Sequence, residues 1–299
     1  MEILLNNPLT NLDSSTFQLV YICLIAALLI IGRLGLRSLD ETAARPALPS
    51  PRQPNPYELA YLRGGLREVT RTAIFSLVER GYLQVRPSDL PTLVQATQPP
   101  ALGLLLPLES AIFNHFTTPV TTAEIFQANS PLLAQVKLHC TPFEDILHKK
   151  ELLVSSEMKL KAWGNIVLLA LIIIIFGGYW VYAANANGRG GSFIVVLLGL
   201  VGLALVLYLC RLPRLSERGR LYFQQLQTDF HTLQVRPTEA AASPAGPYSN
   251  LTVAVSLFGS SVLSGTAYSP FQQMFQEPDS ASRSDGGGVS RWWQRLVRR

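Results

Sequence analysis

Three stretches of the chain are almost continuously apolar: Phe17 to Leu36, Trp163 to Tyr182 and Phe193 to Leu212. Each holds about 20 residues, which at about 1.5 Å per residue matches the roughly 30 Å hydrocarbon core of a bilayer. The pattern predicts three transmembrane helices over 17–36, 163–182 and 193–212, so the lipid bilayer is the first expected partner. Between the first two runs the pattern changes to helical spacing. Leu66, Val69, Ala73, Ile74, Leu77 and Val78 share one face and predict a helix over 66–80. Gly81 ends it as a C-cap glycine would, and Tyr82 to Arg86 alternates like a strand. A shorter helix from Pro56 to Leu62 precedes it and stops at Gly64-Gly65.

Further along, Leu108 to Phe116 reads as a helix, and Thr121 to Glu124 has the spacing of a capping box that opens another. Leu133, Val136, Cys140, Phe143 and Leu147 mark one face of a third helix, which Pro142 is expected to kink or divide. Leu152 to Ser155 reads as a second short strand. Helix, turn, helix and strand make half of a winged-helix arrangement, and a similar order appears twice. The expected fold class is therefore mainly α: three transmembrane helices, with a small winged-helix-like domain of helices and short strands over 57–157, built from two related halves.

The remaining segments follow from composition. Residues 37–56 carry five prolines and read as a stiff, solvated linker. After the third apolar run, a helix from Ser216 to about Leu233 shows Leu221, Tyr222, Leu226, Phe230 and Leu233 along one side. Leu251 to Leu263 is apolar but too short to span, so it is expected either to pack onto the domain or to lie at the membrane interface. These make up a cytoplasmic segment over 213–265, followed by a disordered basic tail over 266–299. Leu233 to Pro237 repeats Leu83 to Pro87 residue for residue; five residues are too few to establish duplication, and we take the match as chance.

Charge orients the chain. Arg33, Arg37, Arg45 and Arg52 follow the first run, Lys149, Lys150, Lys159 and Lys161 precede the second, and Arg211, Arg214, Arg218 and Arg220 follow the third. Residues 1–16 have no Lys or Arg, and the 183–192 loop has only Arg189. The positive-inside rule then predicts an external N-terminus over 1–16, an external loop over 183–192, and a cytoplasmic domain and C-terminus. The first run lacks a basic start and carries its charges afterwards, which suits a retained anchor rather than a cleaved signal. Cys23, Cys140 and Cys210 form neither a disulfide framework nor a CxxC site and are expected to serve packing.

The motif Asn55-Pro56-Tyr57-Glu58-Leu59-Ala60-Tyr61-Leu62-Arg63-Gly64-Gly65, continued by Leu77 to Leu83, resembles that of a family of uncharacterised bacterial membrane proteins. That family carries Pro-x-Glu-Leu-Ala-Tyr-Leu-x-Gly-Gly after its first span. The resemblance covers about residues 17–216 and implies the same order of span, cytoplasmic domain and paired spans in a bacterial plasma (inner) membrane. It supplies no activity. Family members often end in a tail rich in glycine and cysteine, of which only Gly286 to Gly288 remains here.

No catalytic, metal or cofactor site is expected. His115, His139, His148 and His231 are scattered, and His139 and Cys140 are helix neighbours that point about 100° apart. Glu144 and Asp145 followed by Lys149 and Lys150 read as a charge-paired, solvated face. The spans carry no central charge to mark a transport path, and Gly177, Gly178, Gly199 and Gly202 read as helix-contact positions. Arg67 and Arg71, one turn apart, would face phosphates in a membrane-tethered nucleic-acid-binding regulator. Nucleic acid is nonetheless the less favoured partner, since eight cations face ten acids over 55–157. The favoured reading is a membrane-anchored protein-interaction or scaffolding module, able to form homo-oligomers, in which an exposed groove around Tyr57, Tyr61 and Tyr82 receives an unidentified protein partner. At the far end, Trp292 and Trp293 with Arg295, Arg298 and Arg299 are expected to meet an anionic membrane surface.

Overall fold

The computed structural model describes residues 14–38, 42, 45–46, 48–86, 92–97, 103, 105–127, 129–186, 192–210, 213–235, 244–245 and 248–282. In chain order the elements are α1 (Ser14–Ser38), α2 (Pro56–Gly64), α3 (Leu66–Glu79), β1 (Leu83–Arg86), β2 (Thr92–Gln95), α4 (Pro107–His115), β3 (Val120–Thr121), α5 (Thr122–Ile125) and α6 (Pro131–Lys149). There follow α7 (Ser156–Ala186), α8 (Ser192–Leu209), α9 (Glu217–Asp229), α10 (His231–Val235), β4 (Pro244–Ala245), β5 (Tyr248–Ser249), α11 (Asn250–Phe258) and α12 (Ser269–Ser282). The fold is mainly helical. Two compact units divide it: one draws on the chain up to residue 46 and on 153–218, the other on 47–152 and on the chain from 219 onward.

The first unit is α1, α7 and α8. Two of its helices are long and apolar enough to cross a membrane, Ser15–Leu36 and Ser156–Asn185, and a shorter apolar helix covers Phe193–Leu209. Phe17, Tyr21, Ile25 and Leu28 run down the inner side of α1 and meet Ile166, Leu169, Ile173 and Trp180 of α7 and Val195 and Val206 of α8. The outer sides are equally apolar yet open: Leu160 is 75%, Trp163 60% and Phe193 78% exposed. The Tyr21 hydroxyl donates to the Ile173 carbonyl at 3.0 Å. It fits there because Gly177 and Gly199 flank it, where an added Cβ would lie 2.6 and 2.9 Å from that oxygen. Gly202 likewise meets Ile25, whereas Gly178 touches nothing; three of the four glycines read as contact positions make contacts.

The second unit is a helical domain around α3. Val69 through Leu77 are buried without interruption, as expected of a helix covered on every side. Its neighbours are α2, α4, α6, α11 and β1. Local chemistry sets its ends: α2 begins where the Asn55 side chain accepts from the Tyr57 amide, with Pro56 in the first turn. At the end of α3 the Tyr82 amide donates to the Leu77 carbonyl (2.8 Å) and the Gly81 amide to Val78 (3.1 Å). This double closure holds Gly81 at φ 78°, a left-handed conformation that costs glycine nothing. Next, β1 pairs with β2 antiparallel, Leu83 opposite Gln95, and β2 pairs with β3, Leu93 opposite Val120. The capping box at Thr121 forms, with the Thr121 amide donating to Glu124 at 3.0 Å and the Glu124 amide to the Thr121 hydroxyl at 3.4 Å.

Several expectations need correction. Residues 57–157 are not the whole domain: α11, the short apolar segment, buries Leu251 through Leu257 against α2 and α3, and Leu226 of α9 joins Leu59, Val253 and Leu257 in one core cluster. Of the two expected fates of that segment, packing onto the domain is the one observed. Order also extends beyond 266. Helix α12 buries Phe271, Met274 and Phe275, one apolar side at i, i+3 and i+4, with Phe271 edge-on to Phe75 at 5.3 Å.

Helix α6 runs unbroken through Pro142, which lies on its exposed side, where a carbonyl released by the missing N–H can turn to solvent. Leu152 to Ser155 is not a strand; Leu153 makes a single bridge to Leu215. The order α2, α3, β1 is not repeated, because β3 precedes α5 and α6. The repeated pentapeptide is strand at Leu83–Arg86 and helix at Leu233–Val235, so tertiary packing rather than local sequence decides its conformation.

Candidate functional site

The most concentrated polar chemistry among the described residues lies inside the second unit, at Glu109. It occupies the first turn of α4 behind Pro107, and its carboxylate is fully buried. Four donors converge on it. The Tyr57 hydroxyl (2.5 Å) and the Ser76 hydroxyl (3.1 Å) reach Oε1, and the Arg80 guanidinium (2.8 Å) and the Leu106 amide (3.0 Å) reach Oε2. Burial first, then the charge of Glu109, pushes the Tyr57 hydroxyl well above the usual tyrosine range. Tyr57 therefore stays a donor. Arg80 also stacks on the Tyr82 ring, 5.2 Å from its centroid.

Tyr248 meets Tyr57 edge-on at 5.8 Å and forms one wall of a cavity of about 120 Å³. Arg52, Asn55, Phe230, Leu233 and Asn250 line the rest. The cavity mixes amide and guanidinium groups with apolar walls, which suits a small polar moiety or a few waters. Glu109 does not line this cavity; both its oxygens are engaged, and through them it clamps α2, α3 and α4 together.

Two further polar clusters hold α11 against the α2–α3 pair. At one end, Glu79 accepts from the hydroxyls of Ser249 (2.5 Å) and Thr252 (2.7 Å), while Ser249 caps the helix by accepting from the Thr252 amide. At the other, Arg63 donates to the Val255 carbonyl at 2.6 Å and pairs with Glu68, which also holds Arg71 at 2.6 Å. The Arg71 guanidinium lies beside the paired rings of Phe126 (5.7 Å) and Phe275 (5.6 Å), which touch each other at 5.9 Å.

These contacts relocate the residues singled out from sequence. Tyr57 and Tyr82 are about 1% exposed, Tyr61 9% and Arg71 6%, so they do not line an open groove. The C-terminal segment covers two of them, Tyr57 through Tyr248 and Arg71 through Phe275, whereas Tyr82 packs on Phe113 and Arg80. Arg67 is exposed, and it donates to the Phe126 carbonyl at 3.4 Å. Trp292, Trp293, Arg295, Arg298 and Arg299 lie outside the described residues.

The motif around Tyr57 serves the fold. Leu59 and Leu62 are core residues, Glu58 pairs with Lys150 at 3.5 Å, and Gly65 breaks the helix at φ 71°. Glu144 faces His148 at 3.8 Å, and Lys150 turns to Glu58 instead of joining the charge-paired face expected on α6. Cys140 is buried; burial first, then Glu144, pushes its thiol up to about 12. Among the described residues no group of three or more His, Cys, Asp or Glu is arranged to hold a metal.

Glu109 and Glu79 went unmarked in the sequence reading. A signal for Glu109 existed: Pro107 in a first turn with Glu two residues on is a helix-start pattern, and the side chain reaches back to the Leu106 amide as such a glutamate does. For Glu79 and its partners Ser249 and Thr252, about 170 residues away, no local signal exists. No family model, curated protein or solved structure matches the chain.

Proposed function

We propose that the protein is an integral membrane protein whose α1, α7 and α8 all cross the bilayer, carrying the second unit on the cytoplasmic side as a protein-interaction or scaffolding module. The observation that carries the first part is the outward side of the helices: large apolar residues there are 39–78% exposed, a surface that water would penalise at about 25 cal/mol per Å² and lipid would not. The excess of Lys and Arg within 37–160 and after 210 favours an external N-terminus, and the resemblance of the 55–83 motif to a family of bacterial membrane proteins is what points to a bacterial plasma membrane.

The module reading draws on the domain's construction. Its polar groups are spent on holding its own helices together, which suits a rigid platform more than a reaction centre. We read α2, α3, the β1–β2 hairpin, α4 and β3 as a winged-helix-like arrangement in which one helix and one strand follow the hairpin in sequence. A membrane-tethered nucleic-acid-binding regulator is the alternative. It is weakened because the helix that would enter a groove, α3, is buried along nine consecutive residues and Arg71 is engaged internally.

A reporter fused near residue 100 is expected to be active only in the cytoplasm, and alkaline carbonate is expected to leave the chain in the membrane pellet; the opposite results overturn the spanning reading. Crosslinking in intact membranes, followed by mass spectrometry, tests the module: a reproducible partner attached to residues 47–152 or 219–282, absent from an anchor-only control, is expected.

A further inference from the structure

We infer that one end of the α1–α7–α8 unit is a binding surface for anionic phospholipid headgroups, with Lys159 and Lys161 as its centre. The inference rests on the spanning reading above.

Packing brings the cations to a common end. Near the C-terminal end of α1, Gly32 lies against Leu169 and Cys210, and Gly35 lies level with Asn165. Arg33 donates to the Leu209 carbonyl at 3.2 Å. Lys159 and Lys161, both exposed, stand four to six residues before Asn165 on α7. Beyond them the Val154 amide donates to the Arg214 carbonyl at 3.2 Å and Leu153 bridges Leu215. Lys161, Lys159 and Arg214 thus fall in successive layers past the apolar section, while Arg33 on α1 lies level with the first turns of that section; Glu157 and Glu217 are the acids on 153–161 and 213–218.

The apolar residues beside these cations set the depth. Leu160 and Trp163 are 75% and 60% exposed and begin an open apolar stripe that continues through Val167, Leu171 and Ile174 and closes at Tyr182. From Trp163 to Tyr182 is about 28 Å along a helix, close to the hydrocarbon thickness, with an amphipathic aromatic at each limit as interfacial anchors require. Lys159 and Lys161 therefore stand just outside the acyl region, where lipid phosphates lie. A headgroup bound there has its chains against Leu160 and Trp163 and its charge at the lysines, which a free phosphate ion cannot reproduce. The opposite end offers no such pair: Tyr179, Tyr182 and Phe193 bound it, and the sequence between 183 and 192 holds one cation, Arg189.

The test uses the full chain in nanodiscs of mixed phosphatidylcholine and phosphatidylglycerol, with co-retained lipid counted by native mass spectrometry after release into neutral detergent. Phosphatidylglycerol enrichment is expected, falling about 25-fold in Lys159→Gln/Lys161→Gln, at about fivefold per cation, and surviving in Lys159→Arg/Lys161→Arg. Millimolar inorganic phosphate is expected to leave the enrichment unchanged. Equal retention of both lipids, an undiminished preference in the glutamine variant, or displacement by inorganic phosphate overturns the inference. The 283–299 tail is present in every variant, so its contribution cancels. Release of the chain by carbonate overturns the spanning reading, and this inference with it; a chain that stays in the membrane yet ignores lipid charge overturns this inference alone.

Discussion

A buried tyrosine hydroxyl in each unit is held in a different way, and the contrast matches the surface that each unit presents. In the apolar helices, Tyr21 donates to a backbone carbonyl, and its surroundings are glycines and aliphatic side chains. In the helical domain, Tyr57 donates to a carboxylate that draws on three other donors. The first unit keeps polar side chains few and leaves apolar ones facing outward. The second turns its apolar side chains inward and concentrates charge at a few sealed points. The two patterns are what different media would favour, lipid for the first under the proposed spanning reading and water for the second.

The contrast breaks most sharply at Glu109. Glu109→Leu removes the acceptor for Tyr57, Ser76, Arg80 and the Leu106 amide, and is expected to cost the domain about 3–5 kcal/mol, as for a buried charge pair deprived of one partner. Alkylation of Cys140 reads this out, because the buried thiol is reached only when the domain opens; labelling in denaturant should begin at a markedly lower concentration in the variant. In the other unit, Gly199→Val drives a side chain into the Tyr21 hydroxyl and is expected to cost about 1–3 kcal/mol, measured as a lower detergent-unfolding midpoint while Cys140 labelling stays unchanged. Unfolding of both units together would erase the distinction.

Alkaline titration sharpens the comparison further. Tyr57 has a folded-state pKa raised above its unfolded value, so its contribution is fully present below about pH 10 and is lost as pH rises through the folded value. Tyr248, raised by burial first and then by Glu109 and Glu58, follows the same direction. Domain stability is expected to be level up to about pH 10 and to fall above it, and Tyr57→Phe should flatten the fall while lowering the neutral-pH plateau. A decline starting well below pH 10 would contradict the assignment. The smallest effect is local: Gly81→Ala forces a side chain into left-handed backbone with open space around it, and is expected to cost about 1 kcal/mol without touching the Glu109 cluster.

What could be read from the sequence was local or one-dimensional. Continuous apolarity placed the long helices near where they are, with α7 extending to Ser156 and Ala186, beyond the 163–182 run. Periodicity and Gly81 placed α3, and the Thr121–Glu124 spacing placed a real capping box. What escaped depends on pairs distant in the chain. Nothing near Leu59 announces Val253 and Leu257 as its neighbours, so the domain seemed complete at residue 157 and its tyrosines free to line a groove. The α12 side chains Phe271, Met274 and Phe275 sit among Gln and Ser, a composition that reads as tail until Phe75 and Phe126 are placed beside them.

The interruption of the domain between residues 152 and 219 has a consequence for biosynthesis. Translation at about 5–20 residues per second leaves on the order of ten seconds between completion of α6 and emergence of α11. Throughout that interval Leu59, Ala60 and Ile74 lack α11 as a lid, while the apolar helices α7 and α8 are being made. A nascent chain arrested at residue 220 should therefore bind holdase chaperones and be cleaved by protease within 56–80, and one arrested after residue 282 and its exit-tunnel length should not.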